Sequence, residues 1–78
     1  MNESNSFTYE VKEHLATISE KNGYTLELNL ISFRGFPAKL DLRRWNRTND
    51  TMQKGVTLTD DEARGVLTAL EQYLKRDG

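Results

Sequence analysis

Cations and aromatic rings are concentrated in one stretch, residues 33–54, of this 78-residue chain. The stretch holds six of the eleven basic residues, two of the three phenylalanines and the only tryptophan, and its two acids leave a net charge of +4. The other residues carry five basic and ten acidic groups, a net charge of −5. Positive groups bind phosphates and flat rings stack on unpaired bases, so the stretch has the composition of a nucleic-acid-binding surface.

Two predicted strands, residues 24–34 and 39–45, position these side chains by alternation. One face of both strands is built from leucines, and we expect this leucine face to form the core. Its members are Leu26, Leu28, Leu30, Leu40 and Leu42. The opposite face, the tryptophan face, is expected to be open to solvent. It carries Asn29, Phe33, Lys39, Arg43 and Trp45, with Arg34, Arg44 and Lys54 near its edges.

Two further strands are predicted, one before this pair in the chain and one after it. The first has alternating residues and a bulge near Glu13–His14. Asn22–Gly23 predicts the turn that follows it, and Arg34–Pro37 predicts the next turn. The last strand covers residues 52–58, in which Gly55 indicates a bulge or a close approach of the backbone.

A helix completes the chain. Thr59, followed three residues later by Glu62, is a capping-box sequence, and apolar residues then recur at helical spacing. We expect this stripe to cover the leucine face; it consists of Ala63, Val66, Leu67, Leu70 and Leu74. The predicted fold is α+β, a four-stranded antiparallel β-sheet followed by one C-terminal α-helix, or ββββα. Residues 1–6 are expected to be a disordered tail, and residues 7–78 one domain.

The size of the chain bears on its assembly. A domain of 78 residues buries only about 60–65% of its unfolded surface, so an isolated monomer is marginally stable. Such small domains need an additional source of stability. The sequence has no cysteine for a disulfide, and one histidine, His14, is insufficient for a zinc site. Oligomerisation remains by elimination, and we expect a homodimer.

The residue types argue against an enzyme. The acids Asp60, Asp61 and Glu62 are explained by helix capping and by the helix dipole. His14 and Ser32 have no third partner for a catalytic triad, and no glycine-rich loop opens a helix. We therefore expect no catalytic activity, no metal, no cofactor and no small-molecule substrate.

The sequence also lacks signals for export or membrane insertion. The N-terminus has neither a basic segment nor an apolar run, and no apolar stretch reaches 18 residues. We expect neither a signal peptide nor a membrane span, and we expect a cytoplasmic protein.

Other interpretations of the tryptophan face remain open. A lone tryptophan at a strand end is commonly a core or dimer-interface residue, and Phe33 shares this alternative. Arg43 and Arg44 are also typical of a solvated face. Because tryptophan, phenylalanine and arginine are enriched in protein interfaces, the same face is also suited to docking an acidic protein partner.

Three segments carry a resemblance to a known family: LELNLISFRG at 26–35, KLDLRRWN at 39–46 and MQKGVTLT at 52–59, with the helix completing the pattern. In order and spacing they resemble the positive cofactor four group of single-stranded-DNA-binding transcriptional coactivators, particularly its short bacterial members. The resemblance covers about residues 7–76 and implies a curved four-stranded sheet backed by the helix. It also implies a two-fold dimer, with single-stranded DNA running over the sheets of both subunits.

The resemblance implies roles for individual residues as well. Phe33 and Trp45 take the positions of stacking rings. The phosphate-binding positions fall on Arg34, Lys39, Arg43 and Lys54, and Asn29 and Arg44 are further contact candidates. Short bacterial relatives often carry tryptophan at the position of Phe33. Some relatives have an acid at the position of Arg44, and the regulatory tail of the eukaryotic coactivators is absent.

The function implied by this resemblance is sequence-tolerant binding of single-stranded DNA, with RNA not distinguished from it. The protein is then expected to serve transcription regulation or DNA maintenance and to be associated with the nucleoid.

Overall fold

The computed structural model describes residues 8–76, and the expected tail, residues 1–6, lies outside the described residues. Four antiparallel strands form one open sheet in the order β1-β2-β3-β4, and a single helix follows them. The elements are β1 (Tyr9–Lys21), β2 (Tyr24–Phe33), β3 (Lys39–Asn46), β4 (Thr51–Leu58) and α1 (Asp60–Lys75). The predicted ββββα fold is confirmed.

Three irregularities bend β1. The strand uses 13 residues to pair with the 10 residues of β2, and its register shifts after Val11, after His14 and after Thr17. Each such bulge bends a strand and increases its twist. The sequence predicts one bulge near Glu13–His14, and the observed pairing has three.

The sheet curves toward the tryptophan face. Tyr9 is paired with Phe33 and Trp45 with Thr25, so the two rings belong to opposite ends of β2. Eight residues of an untwisted strand span about 26 Å. The ring centroids of Tyr9 and Trp45 nevertheless lie 5.9 Å apart. Long side chains close only part of this distance, so the ends of the sheet must curl toward each other.

This curvature determines which face is buried. The largest fully buried side chains are Ile31, Trp45, Asn29 and Asp41, all on the tryptophan face. The leucines of the opposite face are only half-buried. The expectation that the leucine face forms the core and the tryptophan face is open to solvent is therefore wrong. A concave face shields its own side chains, whereas the convex leucine face needs a covering layer.

The two predicted turns between the first three strands are both present. Asn22–Gly23 joins β1 to β2. Between β2 and β3, φ is 54° at Arg34 and 79° at Gly35, and the amide of Phe36 donates to the carbonyl of Phe33 at 2.9 Å. Glycine enters this left-handed region without steric cost, which explains its presence in the second turn.

The helix α1 begins with the predicted capping box. Thr59 Oγ1 accepts a hydrogen bond from the amide of Glu62 at 3.1 Å, and the Glu62 carboxylate accepts one from the amide of Thr59 at 2.8 Å. No residue within Asp60–Lys75 is buried, however, and the large apolar side chains are 41% exposed at Val66 and 67% at Leu74. An apolar cleft of about 250 Å³ lies between α1 and the leucine face. The expected cover of that face by α1 is therefore incomplete in a single chain, because the cleft separates the helix from the sheet and α1 makes few contacts with any strand.

Candidate nucleic-acid interface

Trp45 lies on the concave tryptophan face, and only 1% of its surface is exposed. The ring of Tyr9 meets it edge-on, and the guanidinium of Arg47 lies 4.1 Å from its centroid. Its indole Nε1 is buried and has no hydrogen-bond partner among residues 8–76. The expectation of a solvent-exposed ring is wrong for Trp45, because side chains from β1 and from the turn after β3 reach over it.

A buried acid holds Arg47 in this position. The Nε and Nη2 of Arg47 donate to the two carboxylate oxygens of Glu27 at 2.9 and 2.7 Å, and Nη1 donates to Asp50 at 3.2 Å. The Thr25 hydroxyl donates to the same Glu27 carboxylate at 2.6 Å. The hydrogen bonds from Arg47, opposed by burial, lower the pKa of Glu27 from 4.5 to about 2. Glu27 is therefore ionised at neutral pH and fixes the guanidinium over the ring.

Asp41 holds Arg43 in a similar way. The Nε and Nη2 of Arg43 donate to the carboxylate of Asp41 at 2.7 and 2.6 Å, and these hydrogen bonds raise the pKa of Arg43. Nη1 donates to the carbonyl of Gln53 at 3.1 Å, and Cζ lies 5.9 Å from the centroid of Phe33. Gly55 pairs with Arg43 across the sheet, and a Cβ at Gly55 would clash with the Cβ of Arg43. The close approach predicted at Gly55 is confirmed.

These ion pairs change the electrostatics expected of the tryptophan face. The net charge of +4 counts Arg43 and Arg47 as cations, but each guanidinium is already paired with a buried carboxylate. One of these carboxylates, that of Glu27, comes from β2 outside the basic stretch. The face therefore offers less unpaired positive charge than the composition predicts, and a phosphate must compete with a carboxylate for each arginine.

The remaining predicted cations are divided between the two faces. Lys39 lies on the tryptophan face and is exposed, and Arg34 in the turn is also exposed. Lys54 on β4 is exposed too, but it lines a cleft of the leucine face together with Arg44, so its expected place beside the tryptophan face is wrong. Arg44 is paired with Leu26 and therefore belongs to the leucine face. The expectation that Arg44 lies beside the tryptophan face is wrong, because alternation along β3 turns it away from Arg43.

Asn29 is buried in a polar network. Its Oδ1 lies 2.6 Å from His14 Nδ1, and its amide nitrogen donates to the Glu27 carboxylate at 3.4 Å. The other ring nitrogen of His14 lies 3.1 Å from the Thr17 hydroxyl. Asn29 thus links β1 to the acid that holds Arg47, and its expected exposure to a ligand is wrong.

One part of the tryptophan face is open. A cleft of about 140 Å³ lies beside the turn between β2 and β3, with walls formed by Phe33, Phe36, Pro37, Lys39 and Thr57. Phe33 is half-buried, whereas Phe36 is 65% exposed. The ring centroids of Tyr9 and Phe33 lie 6.5 Å apart. Aromatic contacts therefore run from Trp45 through Tyr9 and Phe33 to this cleft.

Sequence reasoning misses three side chains of this region. Arg47 lies beyond β3, but it continues the alternation through Arg43 and Trp45, and that signal places it on the tryptophan face. Phe36 belongs to a turn, where alternation makes no prediction. Tyr9 alternates as expected, yet its contact with Trp45 depends on bulges that the sequence does not specify.

Two kinds of feature are missing from the part of the chain that the structure describes, residues 8–76. No group of three histidine, cysteine, aspartate or glutamate side chains there could hold a metal ion. The one helix within this range, α1, lacks the length and apolar character needed to cross a membrane.

The fold and this region together define a ββββα protein with a concave face of aromatic rings and arginines. No family model matches the chain. It is similar to a protein of Treponema pallidum (strain Nichols) described as an uncharacterized protein, with 45% identity over 72 residues that cover 91% of this chain and 80% of that protein. The chain belongs to the same family as this Treponema protein.

Proposed function

We propose that this protein binds single-stranded nucleic acid along the tryptophan face, with little dependence on base sequence and without catalysis. One observation carries the proposal: a concave row of the rings Tyr9, Phe33 and Trp45 lies beside Arg43 and Arg47. Rings in such a groove stack on unpaired bases, whereas a duplex hides its base faces. The proposal includes membership of the positive cofactor four group, which the sequence resembles.

Two kinds of cation bind phosphates in this proposal. Arg34 and Lys39 are exposed and reach solvent directly. Arg43 and Arg47 stand beside the rings, and a phosphate takes the place of their carboxylates as the acceptor of bidentate hydrogen bonds. Each neutralised phosphate releases counterions, so log affinity falls against log salt by about 0.7 per phosphate for a single strand.

Phe33 is the first stacking ring in this proposal, because it is half-buried and borders the open cleft. A base reaches Trp45 only after Arg47 leaves its ring, so stacking on Trp45 stays a prediction. A stacked base contributes about 1–3 kcal/mol, and any base can supply it.

We also propose a homodimer formed through α1 and the leucine face. The support is the apolar stripe of α1, of which Val66, Leu67, Leu70 and Leu74 are exposed beside half-buried leucines of the sheet. A contiguous exposed apolar patch marks an interaction site, and a two-fold contact brings two identical patches together. Both tryptophan faces stay uncovered in such a dimer, because they lie on the opposite side of each sheet.

The cellular role in this proposal is transcription regulation or DNA maintenance by a cytoplasmic, nucleoid-associated protein. Its support is the likeness to the coactivator family together with the concave aromatic face.

Docking of an acidic protein partner is a second candidate function. The exposed ring of Phe36 favours it, because an exposed aromatic residue beside a cation such as Lys39 is typical of protein interfaces. A protein-docking face is expected to ignore a mixed-sequence oligonucleotide at physiological salt.

Fluorescence anisotropy tests the proposed function. A labelled mixed-sequence single strand, the matched RNA and the matched duplex are titrated at two salt concentrations, while the mass of the free protein is measured in solution. The proposal expects tighter binding of single strands than of duplex, and weaker binding at the higher salt. Equal binding of duplex and single strand, or no dependence on salt, would contradict it.

A further inference from the structure

We infer that the cleft beside the β2–β3 turn is a subsite for one unpaired pyrimidine base of the bound strand. Its walls are Phe33, Phe36, Pro37, Lys39 and Thr57. The inference rests on the proposed function and adds a base preference at one position to a surface that otherwise tolerates any sequence.

The wall formed by Phe36 is held in place although its ring is exposed. The amide of Phe36 donates to the carbonyl of Phe33 at 2.9 Å, and its own carbonyl accepts a hydrogen bond from the Ser32 hydroxyl at 2.6 Å. Ser32 is itself buried on β2. A 65%-exposed aromatic ring on a backbone fixed by two hydrogen bonds is preorganised for contact with a ligand.

The size of the cleft selects the ligand. Its volume is about 140 Å³. A cavity of about 150 Å³ accepts benzene, so the cleft accommodates a single six-membered ring. Thymine, uracil and cytosine are single rings that fit between these walls, whereas the fused rings of adenine and guanine extend past the walls into solvent and gain less contact per base.

The polar residues of the cleft suit a nucleotide rather than a simple apolar ligand. Phe33 and Phe36 supply two aromatic walls for the flat faces of a base. The Thr57 hydroxyl can donate to or accept from the polar edge of the base, since a hydroxyl does both. Lys39 is exposed and supplies the charge for the adjoining phosphate.

The experiment compares binding of (dT)6 and (dA)6 to the wild-type protein and to the variant Phe36→Ala. The wild type is expected to bind (dT)6 more tightly than (dA)6. Phe36→Ala is expected to bind (dT)6 about 5- to 150-fold more weakly than the wild type, because the variant loses the contribution of one stacked base. The affinity of Phe36→Ala for (dA)6 is expected to lie within a factor of about two of the wild-type affinity. Self-stacking of adenines cancels when the wild type and the variant are compared on the same oligonucleotide.

Two further variants complete the design. Phe36→Leu keeps apolar volume without a flat ring and is expected to lose most of the (dT)6 preference. Lys39→Ala is expected to weaken the binding of both oligonucleotides by the same factor. Its control is Lys21→Ala, which replaces an exposed lysine at the far end of β1. Circular dichroism and mass measurement test whether each variant keeps its fold and its assembly.

Each outcome decides a separate point. If the wild type binds neither oligonucleotide, the proposed function fails. If it binds both and Phe36→Ala changes neither affinity, the subsite is absent although the function stands. Equal losses for (dT)6 and (dA)6 overturn the pyrimidine assignment. A change of mass in Phe36→Ala assigns the cleft to contact between copies of the chain and likewise overturns it.

Discussion

The guanidinium of Arg47 lies 4.1 Å from the centroid of the Trp45 ring and covers it. Two hydrogen bonds to Glu27 hold the guanidinium in place, and the acid is buried on the adjacent strand β2. The single tryptophan, its cationic cover and the acid that fixes the cover therefore form one unit on the concave face. The stability of the fold and the access of a ligand to Trp45 both depend on this unit.

Replacing Arg47 with methionine tests the contribution of this unit to stability. The variant leaves the Glu27 carboxylate buried without its main partner. Breaking a fully buried pair costs about 3–5 kcal/mol, and the partial exposure of Arg47 reduces the expected loss to about 2–3 kcal/mol. Urea unfolding measures it. The matched control is Arg64→Met, which breaks an exposed pair with Asp61 and is expected to change stability by about 0.5 kcal/mol or less. Equal losses of stability in the two variants would show that the Glu27–Arg47 pair stabilises the fold no more than an exposed pair does.

The low pKa of Glu27 makes stability depend on pH in acid. Its pKa is about 2 in the folded chain and 4.5 ordinarily, so the folded state favours the ionised form. The stabilisation that ionised Glu27 contributes to the fold is fully present above pH 4.5, and it is lost as the pH falls from 4.5 through 2. Unfolding free energies measured across this range are expected to fall steeply in the wild type and less in Glu27→Gln. The exposed carboxylate variant Asp61→Asn serves as control, and identical slopes for wild type and Glu27→Gln would refute the assignment.

Two glycines offer a matched test of the close approach beneath Arg43. Gly55→Ala places a methyl group in a steric clash with the Cβ of Arg43, so we expect the free energy of unfolding to fall by about 1–3 kcal/mol as the strands move apart. Gly65 lies in α1 with no atom within 4 Å of an added methyl group, and Gly65→Ala is expected to stabilise the protein by about 0.5–1 kcal/mol. Thermal or urea unfolding measures both. A tolerated Gly55→Ala would mean that β3 and β4 pack less closely than described.

The proposed dimer is tested by placing a charge in the apolar stripe of α1. Leu70 is half exposed in the single chain, so Leu70→Glu is expected to have little effect on an isolated monomer. In the dimer it buries a charge at the contact, and the mass in solution should fall to that of one chain. Thr68→Glu, on an exposed position of α1 outside the stripe, is the control and should keep the wild-type mass. A Leu70→Glu variant with unchanged mass would exclude α1 from the contact.

The succession of strands and helix along the chain, the turns and the helix cap follow from local signals in the sequence. Alternation predicts β2 and β3, Asn22–Gly23 predicts the first turn, and Thr59 with Glu62 predicts the start of α1. These features depend on residues close together in the chain. Sequence reasoning recovers them because the backbone conformation and the hydrogen bonds involved are local.

The direction of sheet curvature does not follow from such signals. Alternation sorts the side chains of β2 and β3 correctly into two faces, but it does not say which face becomes concave. The three bulges of β1 and the approach of Tyr9 to Trp45 depend on pairings between distant segments. For this reason alternation did not decide between the stacking and the core interpretations of Trp45, of which the structure bears out the core one. It also did not predict the pairing of Glu27 with Arg47.

The fluorescence of Trp45 gives the most direct test of the central claim, because the only tryptophan of the chain lies on the proposed binding face. Its emission and its quenching by acrylamide are followed while a mixed-sequence single strand is added, and the matched duplex is added in a parallel titration. Binding along the tryptophan face predicts a saturable change in Trp45 emission with the single strand and a much smaller change with the duplex. An emission spectrum that stays constant while anisotropy reports binding of the single strand would show that the strand does not reach Trp45, and it would contradict binding along the whole tryptophan face.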